Sequence, residues 1–129
     1  MKRSARLDLI CIDKILKYIQ TMLNAYFTYQ INSADDLANN DLCQLAITQI
    51  ITNIYELKLK IREETLAQTP LFAKIGLKAA RNIASHDYDG LDFDIIYRRT
   101  IQLTRQEISD ELEAVRNVVR QGDSSNPQS

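Results

Sequence analysis

Apolar residues recur at steps of three and four along most of the chain, which is the spacing of an amphipathic α-helix. One long helix is predicted over residues 7–29 and another over residues 42–61, with Asn40 and Asp41 at the capping start of the second. The polar residues 32–36 between them predict a short helical turn. The first half of the chain is therefore expected to form two long helices.

The second half of the chain predicts two more long helices. Residues 63–68 indicate a short acidic helical segment, and Pro70 then marks a break, because proline favours the first turn of a helix and disfavours helical geometry in the residue before it. A third long helix is predicted from Pro70 to a point between Ser85 and Gly90. The last helix is predicted over residues 92–119.

Four long helices with short connections predict an all-α fold, an antiparallel four-helix bundle with a short extra helix. The 129 residues suit one hydrophobic core, and three Gly with two Pro leave few turns for an all-β fold. We therefore expect one helical domain over residues 1–121. The polar residues 122–129 predict a disordered tail.

Charge and cysteine content narrow the function classes. Sixteen Lys and Arg against seventeen Asp and Glu give a net charge of -1, so any nucleic-acid site must come from a local cluster. Cys11 and Cys43 lie in apolar helical stretches without metal-ligand spacing, and we expect both to be buried and unpaired. The basic N-terminus precedes apolar positions that charges interrupt, unlike a signal peptide or membrane span. A cytoplasmic protein with no membrane partner is predicted.

The third predicted helix carries an apolar, a basic and a small-residue face when its residues are placed at about 100° each. Small side chains let another helix approach closely, so their face is a candidate seam for a bundle neighbour or a second subunit. On the basic face, Lys74 and Lys78 are candidate RNA-binding residues. The faces comprise, in that order, Leu71, Phe72, Ile75, Ala79 and Ile83; Lys74, Lys78, Arg81 and Ser85; and Ala73, Gly76, Leu77, Ala80 and Ala84.

Residues 81–88 at the end of this helix read R-N-I-A-S-H-D-Y, which places chemistry suited to RNA cleavage in one segment. RNA supplies its own nucleophile, the 2′-hydroxyl, so neither a metal nor a cofactor is required. His86, the only histidine, can give or take a proton near neutrality. Arg81 offers a planar fork of donors to phosphate oxygens, and Asn82 can orient the His86 ring or hold the phosphate.

On a straight helix, Arg81 and His86 would point about 140° apart and would not converge. Either the helix breaks before His86, or two protomers share the site. Dimerisation would also double the local basic face.

The pattern R-x-x-x-x-H-x-Y, with Asn directly after the Arg and a helix leading into it, resembles the catalytic motif of HEPN ribonucleases, specifically HepT-like toxins. The resemblance implies a metal-independent endoribonuclease of a type VII-like toxin–antitoxin system, cleaving tRNA or mRNA. It implies a homodimer with Arg81 and His86 as catalytic residues at the interface and Asn82 in support. It also implies a minimal nucleotidyltransferase antitoxin, MntA-like, that transfers AMP from ATP to the tyrosine matching Tyr88.

Two other functions remain open: a non-catalytic HEPN subunit that binds nucleotide or substrate beside a nucleotidyltransferase, and a structural helical dimer. The complete pair of Arg81 and His86 favours the enzyme, because neither alternative needs both residues. The aspartates on either side of Gly90 lack the spacing and the terminal Glu of a calcium loop, so no metal is assigned.

Overall fold

The computed structural model describes residues 3–85 and 92–124, and within these ranges the regular secondary structure is entirely α-helical. The all-α prediction is confirmed. Within these two ranges, no helix is long and apolar enough to cross a membrane. The helices are α1 (Arg3–Thr28), α2 (Ala34–Ala38), α3 (Asp41–Lys60), α4 (Glu63–Leu66), α5 (Pro70–Ala73), α6 (Leu77–Ser85), α7 (Phe93–Leu103) and α8 (Gln106–Ser124).

The two long helices predicted in the first half, α1 and α3, pack against each other antiparallel. Asp8 near the start of α1 binds Arg62 just after α3, whereas Tyr18 farther along α1 meets Asn53 in the middle of α3. The shared core is rich in β-branched side chains, whose burial contributes roughly 1.5–3 kcal/mol each. Its fully buried members on these helices include Ile12, Ile15, Ile19, Met22, Ile47, Ile51 and Ile54.

Both cysteines belong to this core, as predicted. Cys11 on α1 and Cys43 on α3 are buried and unpaired, and burial raises the pKa of each thiol. The start of α3 also follows the sequence pattern, because the Asn40 side chain accepts a hydrogen bond from the Cys43 amide at 2.9 Å.

The third helix is not continuous, so that prediction is wrong. It is divided into α5 and α6 by a tight turn in which the Leu77 amide donates to the Ile75 carbonyl at 2.8 Å. Ile75 and Leu77 are both buried, although on one straight helix they would point about 200° apart. At Gly76, between them, an added Cβ would lie 3.2 Å from the Arg99 Nε, so the missing side chain lets Arg99 approach.

The last helix is also divided, into α7 and α8, where a continuous helix was predicted. Leu103 and Ile108 are both buried, and five residues on a straight helix would separate them by about 140°. The Thr104 hydroxyl donates to the Ile101 carbonyl at 3.0 Å, a local bond that competes with helix continuation. α8 includes Gly122, where the tail was predicted to begin, and residues 125–129 lie outside the described ranges.

Because of the break, the faces predicted for residues 70–85 are reassigned. Leu77 and Ala80 are buried within the chain, where α6 packs against α3 and α7, so this part of the small-residue face is a seam with neighbouring helices of the same chain. Leu71 and Ala79 are exposed, although the straight helix placed them on the apolar face. Because α6 begins anew after the break, its own rotation about the helix axis decides which of its side chains face the core.

Candidate functional site

Arg81 is positioned by its contact with α3. The buried Ala80 packs α6 against the core, and Arg81, the next residue, is half-buried. Its guanidinium carbon lies 5.0 Å from the centroid of the Tyr55 ring, within the range of a cation–π interaction. The contact joins the motif helix to the middle of the fold and restricts the positions that the guanidinium can adopt.

Asn82 lies beside Arg81 and contacts the same guanidinium. Arg81 Nη1 donates to Asn82 Oδ1 at 3.5 Å, which is the long end of the hydrogen-bond range. Asn82 itself is exposed. The structure therefore brings together two of the predicted site residues, with the amide oxygen of Asn82 turned to the cation.

The other two motif residues, His86 and Tyr88, lie outside the described residues. His86 directly follows Ser85, the last residue of α6. The proposed catalytic role of His86, the modification of Tyr88 and the convergence of Arg81 with His86 therefore remain predictions.

The two candidate RNA-binding lysines lie on different elements. Lys74 follows α5 in the turn and lines a small cavity of ≈ 130 Å³ together with Arg105. Lys78 is exposed on α6, three residues before Arg81. The continuous basic face that was predicted from Lys74 to Ser85 is wrong, since the turn at Gly76 separates Lys74 from the other residues.

Tyr55 is a residue of the candidate site that no sequence pattern indicates. It lies on α3, half-buried against the core, where an aromatic residue is ordinarily only a packing residue. No local pattern connects it to Arg81, which is 26 positions later. Only the packing of α6 on α3 brings the two together.

We compared the chain with protein-family models, curated proteins and solved structures, and none of them matches it. The resemblance to HEPN ribonucleases therefore rests on the sequence of residues 81–88, the first five of which end α6 in an all-α fold.

Proposed function

We propose that this chain is a metal-independent endoribonuclease of the HEPN type, a four-helix bundle that acts as a homodimer in the cytoplasm. The observation that carries the proposal is the position of Arg81, held against the Tyr55 ring and beside Asn82, five residues before the only histidine. A phosphate-binding cation and a proton-transfer group thus occur within one short segment of the sequence.

The proposed reaction uses the 2′-hydroxyl of the RNA as nucleophile. Its oxygen bonds to the adjacent phosphorus, the bond from phosphorus to the 5′-oxygen breaks, and the products are a 2′,3′-cyclic phosphate and a 5′-hydroxyl. His86 serves in proton transfer at one of these two oxygens. Arg81 donates to the non-bridging phosphate oxygens and stabilises the charge that develops on them.

The proposed dimer places the outward face of α6 near the two-fold axis. Lys78, Ala79 and Asn82 are exposed and share this face, whereas Ala80 is buried within the protomer. Arg81 of one protomer and His86 of the other would then form one composite site. Mixing Arg81→Ala chains with His86→Ala chains should restore cleavage in the heterodimer, and inactivity of the verified heterodimer would contradict site sharing.

The decisive experiment incubates the purified protein with RNA in EDTA and analyses the fragment ends. A 2′,3′-cyclic phosphate should appear, and His86→Ala should lower the rate by about 10²–10⁴, the usual contribution of one acid–base group. A requirement for Mg²⁺, or equal rates in parent and variant, would contradict the mechanism. A folded protein without cleavage that still binds a nucleotidyltransferase would favour the non-catalytic HEPN subunit.

Regulation is proposed to act through Tyr88. A minimal nucleotidyltransferase antitoxin, MntA-like, would transfer AMP from ATP to its hydroxyl, and the added phosphate and nucleoside would block the site and repel RNA. Coexpression should raise the intact mass by whole AMP units and suppress cleavage. Tyr88→Phe should stay active and resist both effects, and a Phe variant that still gains AMP would show that another residue is modified.

A further inference from the structure

A groove runs along α1 and reaches α3 in one part. It consists of two adjoining cavities of ≈ 250 Å³ and ≈ 170 Å³, which have Lys14 and Tyr18 in common. Among the described residues, the larger cavity is lined by residues of α1, including Lys17, and the smaller one lies between α1 and α3. We call this feature the α1–α3 groove, and its polar side chains include Lys14, Lys17, Tyr18, Asn53, Glu56 and Lys60.

Helical spacing places these residues in two rows, which face each other where Lys14 and Tyr18 meet α3. Positions 14, 17 and 18 share a face of α1, and positions 53, 56 and 60 share a face of α3. The rows are joined where Asn53 Nδ2 donates to the Tyr18 hydroxyl at 3.2 Å, and Asn53 Oδ1 accepts from Gln49 at 2.9 Å. Because Tyr18 accepts the bond from Asn53, its own hydrogen can be donated to a ligand.

The groove concentrates positive charge in a chain whose net charge is -1. Lys14, Lys17 and Lys60 are exposed, and within residues 3–85 and 92–124 none of them forms an ion pair. Glu56 is the acidic residue among the described residues that line the groove. Asp13, next to Lys14 in the chain, is engaged by Arg116 and Arg120 of α8 instead. Among the described lining residues, three lysines against one carboxylate favour an anionic ligand.

We propose that the α1–α3 groove binds the phosphate backbone of single-stranded RNA. The inference rests on the proposed function for the identity of the ligand. At the helical rise, positions 14–18 span about 6 Å and positions 53–60 about 10 Å, which allows contact with more than one phosphate. Lysines along a groove with an aromatic residue between them are typical of surfaces that bind single strands.

This groove is separate from the candidate site at Arg81. Asn53, which binds Tyr18, and Tyr55, which contacts Arg81, are two residues apart on α3 and so point about 200° apart. RNA in the groove would be held on the far side of α3, at a distance from the motif. The groove therefore supplies affinity for RNA without taking part in its cleavage.

The test measures RNA binding in a His86→Ala background, in which cleavage is expected to be about 10²–10⁴-fold slower. A fluorescein-labelled oligouridylate of about 12 nucleotides is titrated over a series of salt concentrations, with anisotropy as the readout. Lys14→Gln/Lys17→Gln should weaken binding about tenfold and lower the slope of log affinity against log salt by about 1.4, or about 0.7 for each lost phosphate contact. Tyr18→Phe, which lacks the donor, should weaken binding about fivefold.

The matched control is Arg98→Gln/Arg105→Gln, which removes the same charge from exposed positions outside the groove. It should change the affinity less than about twofold. Equal weakening by both double variants would show that RNA binding depends on overall charge and not on the groove. Unchanged binding in the folded Lys14→Gln/Lys17→Gln protein would also overturn the proposed RNA site. If the parent protein binds RNA through the groove but does not cleave it, the proposed nuclease activity is refuted and the proposed RNA-binding site stands.

Discussion

The guanidinium of Arg81 and the ring of Tyr55 lie 5.0 Å apart, which ties the first residue of the R-x-x-x-x-H-x-Y motif to the core helix α3. The two residues are brought together by the packing of α6 against α3, for which the buried Ala80 provides the close approach. An aromatic packing residue therefore acts as the support of the proposed phosphate-binding cation.

Replacing Tyr55 should accordingly impair cleavage through Arg81. A cation–π contact contributes about 0.5–2 kcal/mol, so we expect Tyr55→Leu to lower kcat/KM about 3- to 30-fold. Tyr55→Phe keeps the ring face and should remain within about threefold of the parent. RNA cleavage assays, with thermal unfolding as a check on folding, make the comparison. Equal losses in the Leu and Phe variants would contradict a role for the ring.

The buried carboxylate of Asp8 should be important for stability. It accepts bonds from the Arg62 amide at 3.1 Å, from Arg62 Nε at 2.7 Å and from the Thr65 hydroxyl, which ties α1 to the start of α4. Asp8→Ala leaves these donors without their acceptor and should lower the free energy of unfolding by about 3 kcal/mol. Urea denaturation measures the change.

Asp13 is the matched control for Asp8, because it is an ion-paired aspartate on the same helix whose side chain is 44% exposed. Asp13→Ala should cost at most about 1 kcal/mol, since water screens partly exposed pairs. A loss as large as that of Asp8→Ala would mean that burial is not the deciding factor.

Glu111 of α8 should stabilise α5 from a distance. Its carboxylate accepts from the Leu71 and Phe72 amides, both at 2.9 Å, and so caps the first turn of that four-residue helix. Glu111→Ala should lower the free energy of unfolding by about 1–2 kcal/mol, as for the loss of a capping side chain. Glu113→Ala, an exposed control on the same helix, should change it by less than about 0.5 kcal/mol. Similar effects of the two substitutions in chemical denaturation would exclude the cap.

The buried hydroxyl of Tyr26 should make the free energy of unfolding decrease at alkaline pH. The Thr100 hydroxyl donates to the Tyr97 carbonyl at 2.7 Å, so in the bond between Tyr26 and Thr100 the tyrosine is the donor. Burial raises the pKa of the Tyr26 hydroxyl above its ordinary value. The unfolded chain therefore loses this proton first, at a pH of roughly 10.

It follows that the contribution of Tyr26 to stability is complete below pH ~10 and decreases above it, by about 1.4 kcal/mol per pH unit until the folded-state pKa is reached. Tyr26→Phe lacks the proton. The difference in unfolding free energy between parent and variant should be constant from neutral pH to about pH 9 and then fall. A difference that stays constant through pH ~11 would show that Tyr26 ionises equally in both states.

The sequence alone determined the features that depend on neighbouring residues. The three- and four-residue spacing predicted α1 and α3, and Asn40 and Asp92 were correctly expected at helix starts, where each side chain accepts from the amide three residues later. The R-x-x-x-x-H-x-Y motif is also local, and Arg81 with Asn82 could be selected from it. These signals lie within one or two helical turns, so a linear pattern contains them.

Only the tertiary structure decided where the helices break and which distant residues meet. Residues 70–85 are compatible with one helix until Ile75 and Leu77 must both enter the same core, which a straight helix does not allow. Three other contacts likewise join separate elements: Tyr55 with Arg81, Asp8 with Arg62, and Tyr18 with Asn53 in the α1–α3 groove. A single core must be filled without unpaired buried groups, and that requirement acts on the whole chain at once.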